Sequence, residues 1–158
     1  MKILLAVDGS ACSDHAVASI ASRPWPAGSE IRVITAYETT LMPRPEVWVV
    51  SQEYSDEMQR AAREYAQDVA NEAHLKLSKA LGDSLSVTSQ IVAGPAKSII
   101  LEHAELWGAD LIVVGSHGHQ RWERFLLGSV SQAVVSHAKC SVEVIRCVEH
   151  QAEEPKAA

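Results

Sequence analysis

Short apolar runs alternate along the chain with segments that have the spacing of amphipathic helices. The runs KILLAV, EIRVITAY, LSVTSQIV, DLIVVG and SVEVIRCV hold six to eight residues each, which is typical of strands buried on both faces. Such an alternation predicts a single-domain α/β fold with parallel strands and right-handed crossovers. We expect a Rossmann-like five-stranded parallel sheet in the order 3-2-1-4-5, with helices on both faces.

Four helical segments separate the predicted strands. The first lies over residues 10–22, with Ser10 or Ser13 as the candidate N-cap. The third and fourth lie over residues 94–107 and 129–138. The second is the longest, and a stripe of apolar residues at helical spacing defines it: Tyr54, Met58, Ala62, Tyr65, Val69, Ala73, Leu77 and Leu81.

Length and charge favour one ordinary globular domain. The chain has 158 residues, of which 47% are hydrophobic, and this is enough for one buried core. The net charge of −6 argues against a broad surface for nucleic acid or anionic lipid, and no apolar run approaches the length of a spanning helix. We expect a domain over residues 1–148, a polar tail over 149–158, and neither a nucleic acid nor a membrane as partner.

Two prolines predict a long loop over 38–51, whose role stays open.

The cysteines indicate a compartment. Cys12, Cys140 and Cys147 are odd in number and form no C-x-x-C pair, which is typical of reduced cysteines in a cytoplasmic protein. We therefore expect a cytoplasmic protein whose cysteines are structural and reduced.

Two turns with unusual composition follow the first and the fourth strands. Asp8-Gly9-Ser10 comes after the first strand, and the segment 115–118, Gly-Ser-His-Gly, comes after the fourth. Open parallel sheets bind ligands beyond the carboxyl ends of their strands, where the strand order reverses. In the predicted order that point lies between these two strands, so both turns indicate the same site.

The second turn and the helix after it have the properties of a phosphate-binding site made of backbone. Gly115 and Gly118 lack a Cβ, which lets backbone approach a ligand and reach dihedrals closed to other residues. Gly128 precedes the fourth helix, whose free N–H groups and dipole favour an anion. The hydroxyls of Ser129 and Ser131 can donate to phosphate oxygens. Ordinary turns and a helix cap would explain the same residues.

The spacing of these glycines resembles a known signature. The pattern G-x2-G-x9-G-[ST], met by Gly115, Gly118, Gly128 and Ser129, resembles that of the ATP-binding subclass of the universal stress protein family. The segments ILLAVDGS and GADLIVVGSHG resemble the family as well. The resemblance implies a stress-response protein that binds ATP, ADP or AMP as a switch or sensor, with Mg²⁺ carried by the nucleotide.

The resemblance also assigns residues to parts of the nucleotide. It implies that Asp8 holds the ribose or the adenine edge, that the backbone of Ala36 faces adenine, and that Val114 and Gly115 lie under the nucleotide. The residues implied around the phosphates are Gly118, Gly128, Ser129, Val130 and Ser131.

A homodimer through the fifth strand is a further implication of the resemblance. An edge strand has unpaired backbone groups that can pair with a second copy. Val142, Val144 and Arg146 share one face of this strand. Glu143 would then approach Arg146 of the second copy, or it would guard the edge against pairing.

Two other functions are compatible with the sequence. A slow ATPase or a phosphoryl or nucleotidyl transferase would use His119 or Glu123 to position the nucleophile, and a nucleotide-independent dimeric interaction module would need neither. Arg121 and Arg124 would grip outer phosphates or form a solvated loop face.

Two other kinds of site are not expected. His117 and His119 are too few for a dedicated metal site. Ser116 lacks the G-x-S-x-G spacing of a hydrolase nucleophile.

Overall fold

A computed structural model of the chain describes residues 1–38, 52–119 and 127–147. The strands are β1 Lys2–Ala6, β2 Glu30–Tyr37, β3 Ser86–Ala93, β4 Leu111–Gly115 and β5 Ser141–Ile145. The helices are α1 Ala11–Ala21, α2 Gln52–Leu81, α3 Ala96–Trp107 and α4 Ser129–His137, with a 3₁₀ turn at Gly82–Ser84. The predicted tail, most of the predicted 38–51 loop, and Arg121, Glu123 and Arg124 lie outside the described residues.

The five strands form one parallel sheet in the order β3-β2-β1-β4-β5, so the predicted fold is confirmed. Alternate residues of β1 serve the two faces, because successive side chains on a strand point to opposite sides. Ile3 and Leu5 join a buried cluster with α1 and α2, whereas Leu4 joins a second cluster with α3 and α4. Helices therefore cover both faces of the sheet.

Helix α2 confirms only part of its predicted stripe. Ala73 and Leu77 of the stripe are buried, together with Ala66 and Ala70, whereas Tyr54 and Met58 of the stripe are half or more exposed. The helix has 30 residues and the neighbouring strands have 8 each, or about 45 Å of helix against about 26 Å of strand. The helix is therefore longer than the strands beside it, and its buried described residues lie from Ala66 onward.

The cysteines differ from the prediction as well. Cys12 and Cys147 form a disulfide across a sequence separation of 135, while Cys140 is free. The prediction of reduced cysteines was therefore wrong for this pair. No local spacing could reveal it, because the two residues become neighbours only when α1 packs over β4 and β5.

An ion pair accounts for the charge inside β5. Arg23, which follows α1, donates to both carboxylate oxygens of Glu143. The Glu143 carboxylate raises the pKa of the Arg23 guanidinium, mainly by accepting its hydrogen bonds. Glu143 thus has a partner within its own chain, and its approach to Arg146 of a second copy stays a prediction.

Within the described parts of the chain, no helix combines the length and the apolar character needed to cross a bilayer.

Candidate functional site

A cavity of about 670 Å³ opens beyond the carboxyl ends of β1 and β4, where the strand order reverses. Its wall contains all of the residues predicted for the site: Asp8, Ala36, Val114, Gly115, Gly118, Gly128, Ser129, Val130 and Ser131. The fold thus brings together residues from two strands, one helix and the turns beside them, which are up to 123 positions apart in sequence. Their role in binding remains a prediction.

The turn between β1 and α1 is held by its own hydrogen bonds. Asp8 Oδ1 accepts from the backbone N–H of Ser10 at 3.0 Å and from the Ser10 hydroxyl at 2.6 Å. Ser10 Oγ in turn accepts from the N–H of Ser13 at 3.3 Å and is the N-cap of α1. Gly9 has φ of +79°, a left-handed conformation that favours glycine. One carboxylate oxygen of Asp8 is therefore used to build the turn.

The other carboxylate oxygen of Asp8 faces the second turn. A Cβ added to Gly118 would lie 2.7 Å from Asp8 Oδ2, and one added to Gly115 would lie 2.8 Å from the backbone carbon of Cys12. Neither glycine, nor Gly128, has a positive φ. The expectation that Gly115 and Gly118 use dihedrals closed to other residues was therefore wrong. They are glycine because the two turns touch.

Ser116 connects the second turn to the rest of the fold. It is 2% exposed, and its N–H donates to Ile145 O at 2.7 Å. Its carbonyl accepts from the N–H of Gly128 at 2.8 Å and from the Ser131 hydroxyl at 2.9 Å. The Ser131 hydroxyl is thus committed to backbone, which leaves Ser129, on the exposed side, as the hydroxyl available to a ligand.

The start of α4 is not capped by a side chain. Gly128 is its N-cap, with no side-chain hydrogen bond and no acidic residue in the first turn. The first N–H groups of a helix have no acceptor inside it, and the first intrahelical bond here runs from Gln132 N to Gly128 O. The N–H groups of Ser129, Val130 and Ser131 therefore remain for an anion at the cavity wall.

Three residues at or beside the cavity were not assigned to binding from the sequence: His117 and His119 line it, and Tyr65 lies next to His119. His119 Nε2 donates to the carbonyl of Asp8 at 2.7 Å, and the Tyr65 hydroxyl lies 3.3 Å from the same oxygen. His117 lines the wall, and its Nε2 is buried without a hydrogen-bond partner in the described structure. Tyr65 was predicted to be a core residue of α2, and only the fold shows that it reaches the β1–α1 turn.

The opposite end of the cavity is apolar. Ile34 and Ala36 of β2 and Ala96 and Ile100 of α3 line it, and a flat, weakly polar ring fits such surroundings. Of these, the sequence analysis named only Ala36, because the others belong to ordinary apolar patterns of a strand and a helix.

The described wall has little charge of its own. Asp8 is the one carboxylate among the described lining residues, and no lysine or arginine accompanies it there. The described residues also contain no group of three or more His, Cys, Asp or Glu arranged for a metal. An anion at this wall would be bound by N–H groups and by the dipole of α4.

The model of the universal stress protein family matches residues 1–146. The chain belongs to the universal stress protein family. Universal stress protein A homolog 2 of Coxiella burnetii is 46% identical over 83 residues, which are 51% of this chain and 56% of that protein. A universal stress protein homologue of Staphylococcus epidermidis is 31% identical over 154 residues, 94% of this chain and 85% of its own.

Solved structures share the fold of this universal stress protein. UspA from Lactobacillus plantarum has a TM-score of 0.72 at 24% identity, covering 92% of this chain and 97% of its own. A family member from Arabidopsis thaliana with AMP bound has a TM-score of 0.67 at 17% identity, covering 98% and 97%. A universal stress protein in complex with cAMP has a TM-score of 0.58 at 25% identity, covering 92% and 96%.

Proposed function

We propose that this universal stress protein binds an adenine nucleotide in the cavity between β1 and β4 and acts as a nucleotide-dependent switch or sensor in the stress response. The observation that carries the proposal is the uncapped start of α4, whose N–H groups line the same cavity as an apolar slot between β2 and α3. A phosphate fits the first feature and a purine ring fits the second.

Relatives with bound ligands support the choice of nucleotide. Solved members of the fold carry AMP and cAMP, which share an adenine, a ribose and at least one phosphate. ATP is the ligand that the glycine signature favours, and ADP or AMP would use the same adenosine end. We propose ATP as the physiological ligand and AMP as the simplest probe of the site.

The residues divide between the two ends of the proposed ligand. Asp8 would accept from the ribose or adenine edge through Oδ2, since its Oδ1 is held by Ser10. The backbone of Ala36 would face adenine, with Val114 and Gly115 beneath the nucleotide. Gly118, Gly128, Ser129, Val130 and Ser131 would surround the phosphates, with Ser131 contributing its N–H.

Magnesium would accompany a triphosphate. Mg²⁺ keeps several waters and binds phosphate oxygens in most nucleotide sites. Because Asp8 is the one carboxylate on the described wall, we expect phosphate oxygens and waters to supply most of the Mg²⁺ ligands. The described residues offer no second carboxylate that could act as a base toward water, which favours binding over turnover.

The test is direct identification followed by titration. We expect mass spectrometry of freshly purified, denatured protein to release an adenine nucleotide, and calorimetry of stripped protein to give saturable binding of AMP and Mg-ATP. Steady hydrolysis that His119→Ala abolishes would favour the enzymatic alternative. If no nucleotide is released and neither AMP nor Mg-ATP shifts the unfolding temperature of the protein, the interaction module would be favoured instead.

We further propose a homodimer through β5. Among the described residues, this strand lies at an edge of the sheet and pairs with β4 alone, and Val142, Val144 and Arg146 would form the contact. The charge of Glu143 is neutralised by Arg23, which weakens the argument that it guards the edge. Sedimentation velocity should show a dimer for the wild type and a monomer for folded Val144→Pro. A wild-type monomer, or a dimer in both, would contradict this contact.

The cytoplasmic location stays a prediction. It no longer rests on reduced cysteines, because Cys12 and Cys147 are paired.

A further inference from the structure

We propose that the Cys12–Cys147 disulfide is a reversible thiol–disulfide exchange site whose redox state sets the rigidity of the Ser116 loop, residues 115–118, and through it the affinity of the cavity for nucleotide. The effect on affinity rests on the proposed nucleotide binding. The effect on the Ser116 loop does not, and it has a readout of its own.

The disulfide joins the beginning of the fold to its end. Cys12 lies in the first turn of α1, and Cys147 lies two residues beyond β5. Their Cα atoms are 4.8 Å apart. This bond is the covalent link between α1 and the segment after β5, two elements whose chain positions are 135 residues apart.

Ser116 contacts both sides of this crosslink. Its hydroxyl donates to Cys12 Sγ at 3.7 Å, and its N–H donates to Ile145 O, two residues before Cys147. Its carbonyl accepts from the N–H of Gly128, the N-cap of α4. A change in the crosslink therefore reaches the start of α4 through one buried residue.

Gly115 packs closely against Cys12, one end of the crosslink. A Cβ there would lie 2.8 Å from the backbone carbon and 2.9 Å from the Cβ of Cys12, so the backbones of the two turns are in contact. Closely packed interiors transmit displacement rather than absorb it. A shift of the α1 start on reduction would therefore move the Ser116 loop as well.

The two sulfurs differ in ways that favour a directed exchange. Cys12 is 3% exposed, whereas Cys147 is only partly buried, so Cys147 is the more accessible of the two residues to a reductant. Cys12 lies in the first turn of α1, and its sulfur accepts a hydrogen bond from the Ser116 hydroxyl, so we expect attack at Cys147 with Cys12 as the leaving group.

The exchange is balanced with a dithiol as reductant. A thiolate of the dithiol attacks Cys147 Sγ, forms a mixed disulfide with it and breaks the bond to Cys12, which leaves as a thiolate. The second thiol of the reductant loses its proton and attacks the reductant's other sulfur, the one bonded to Cys147 Sγ. This attack releases the Cys147 thiolate. The reductant becomes a cyclic disulfide, and its two protons pass to the two cysteines.

Cys140 offers an internal control. It is free and half-buried, and burial raises the pKa of its thiol, which disfavours the reactive thiolate. Cys140→Ser should therefore leave the redox response intact, while Cys147→Ser should remove it.

The first measurements need no nucleotide. After denaturation, iodoacetamide should label one cysteine in the oxidised wild type and three in the wild type reduced with dithiothreitol, as counted by mass. Hydrogen exchange at the amides of Ser116 and Gly128 should become at least about fivefold faster on reduction. In hydrogen exchange, Cys147→Ser should match the reduced wild type with or without dithiothreitol, and Cys140→Ser should respond as the wild type does. In labelling, Cys147→Ser should show two labelled cysteines in both buffers, whereas Cys140→Ser should change from none to two on reduction.

The second measurement is the AMP affinity in both redox states. We expect reduction or Cys147→Ser to raise the Kd by about fivefold or more, the lower end of usual site-to-site coupling. Because coupling is reciprocal, AMP should make the disulfide harder to reduce by the same factor.

Each outcome decides a part of the proposal. Three labelled cysteines in air-oxidised protein would overturn the disulfide as a site, and unchanged exchange and Kd despite full reduction would overturn the coupling. Faster exchange in a protein that binds no nucleotide in either state would overturn the proposed function and the change in affinity, and would support the exchange site alone.

Discussion

Helices α1 and α4 begin at the same edge of the sheet, after the neighbouring strands β1 and β4, yet their N-termini are capped differently. The start of α1 has a serine cap, Ser10, whose Oγ accepts from Ser13 N, and an acidic residue, Asp14, in its first turn. The start of α4 has a glycine cap without a side-chain bond and no acidic residue. Both helices have a dipole that favours an anion at the start, but only α1 has a side-chain acceptor for one of its first N–H groups.

The difference teaches how the fold reserves a place for an anion. A carboxylate or hydroxyl at a helix start competes with a ligand for the same N–H groups. At α1 the chain supplies that group itself, and the turn becomes structural. At α4 the chain supplies nothing, and the N–H groups line the cavity. Variants that exchange these features should exchange the behaviour of the two helices.

The largest effect is expected where the two turns touch. Gly118→Val would put its Cβ 2.7 Å from Asp8 Oδ2 and its methyl groups against the cavity. We expect the affinity for AMP to fall at least about a hundredfold, or about 2.8 kcal/mol. Calorimetry on a variant with native circular dichroism measures this, and an unchanged affinity would remove Gly118 from the site.

Asp8 belongs to the turn before α1, which is held by its own hydrogen bonds, but its second carboxylate oxygen faces the cavity. It therefore tests whether this turn also contributes to ligand binding. Asp8→Ala should weaken AMP by about 1–3 kcal/mol, the usual cost of losing a hydrogen bond to a charged group. Inorganic triphosphate should bind nearly as before. Asp8→Asn keeps an acceptor for Ser10 and is the control for the turn. Equal losses for both ligands would assign Asp8 to the phosphates or to their Mg²⁺.

Giving α4 the charge that α1 already has should reverse its role. Ser129→Asp puts a carboxylate in the first turn, which should stabilise the helix by about 0.3–1 kcal/mol. The same charge should repel phosphate and weaken AMP about tenfold, or 1.4 kcal/mol. The unfolding temperature should thus rise while the affinity for AMP, measured by calorimetry, falls. Ser129→Asn and Ser136→Asp are the neutral and displaced controls, and equal weakening by Ser136→Asp would reduce the effect to net charge.

The smallest effect concerns the capped helix. Ser10→Ala removes the cap of α1 and should lower the free energy of unfolding by about 1 kcal/mol. Ser129→Ala, at the corresponding end of α4, removes no cap and should change stability by less than about 0.5 kcal/mol. Urea denaturation measures both. Similar losses in the two variants would show that α4 is also capped by its serine.

The sequence predicted the parallel sheet because apolar runs define buried strands, and the strand order came with the Rossmann-like fold class. It predicted the turns beside the cavity because the glycines after β4 have fixed spacing. It did not predict the partner of Glu143 or of Cys147, because Arg23 and Cys12 meet them only through packing of α1 over β5.

Helix α2 and the glycines show a second limit of sequence reasoning. The stripe through Tyr54 and Met58 has helical spacing, but spacing does not reveal where the sheet beneath a helix ends. The glycine pattern was found for Gly115 and Gly118, but its physical reason was misassigned, since close contact rather than positive φ requires them.

The most direct test of the account is an amide NMR titration of the oxidised protein with AMP. The account predicts that the amide protons of Ser129, Val130 and Ser131 shift downfield in a saturable way, because they donate to the phosphate, while those of Ser13 and Asp14 in α1 stay in place. Shifts confined to the start of α1, or no shift at the start of α4 at saturation, would contradict it.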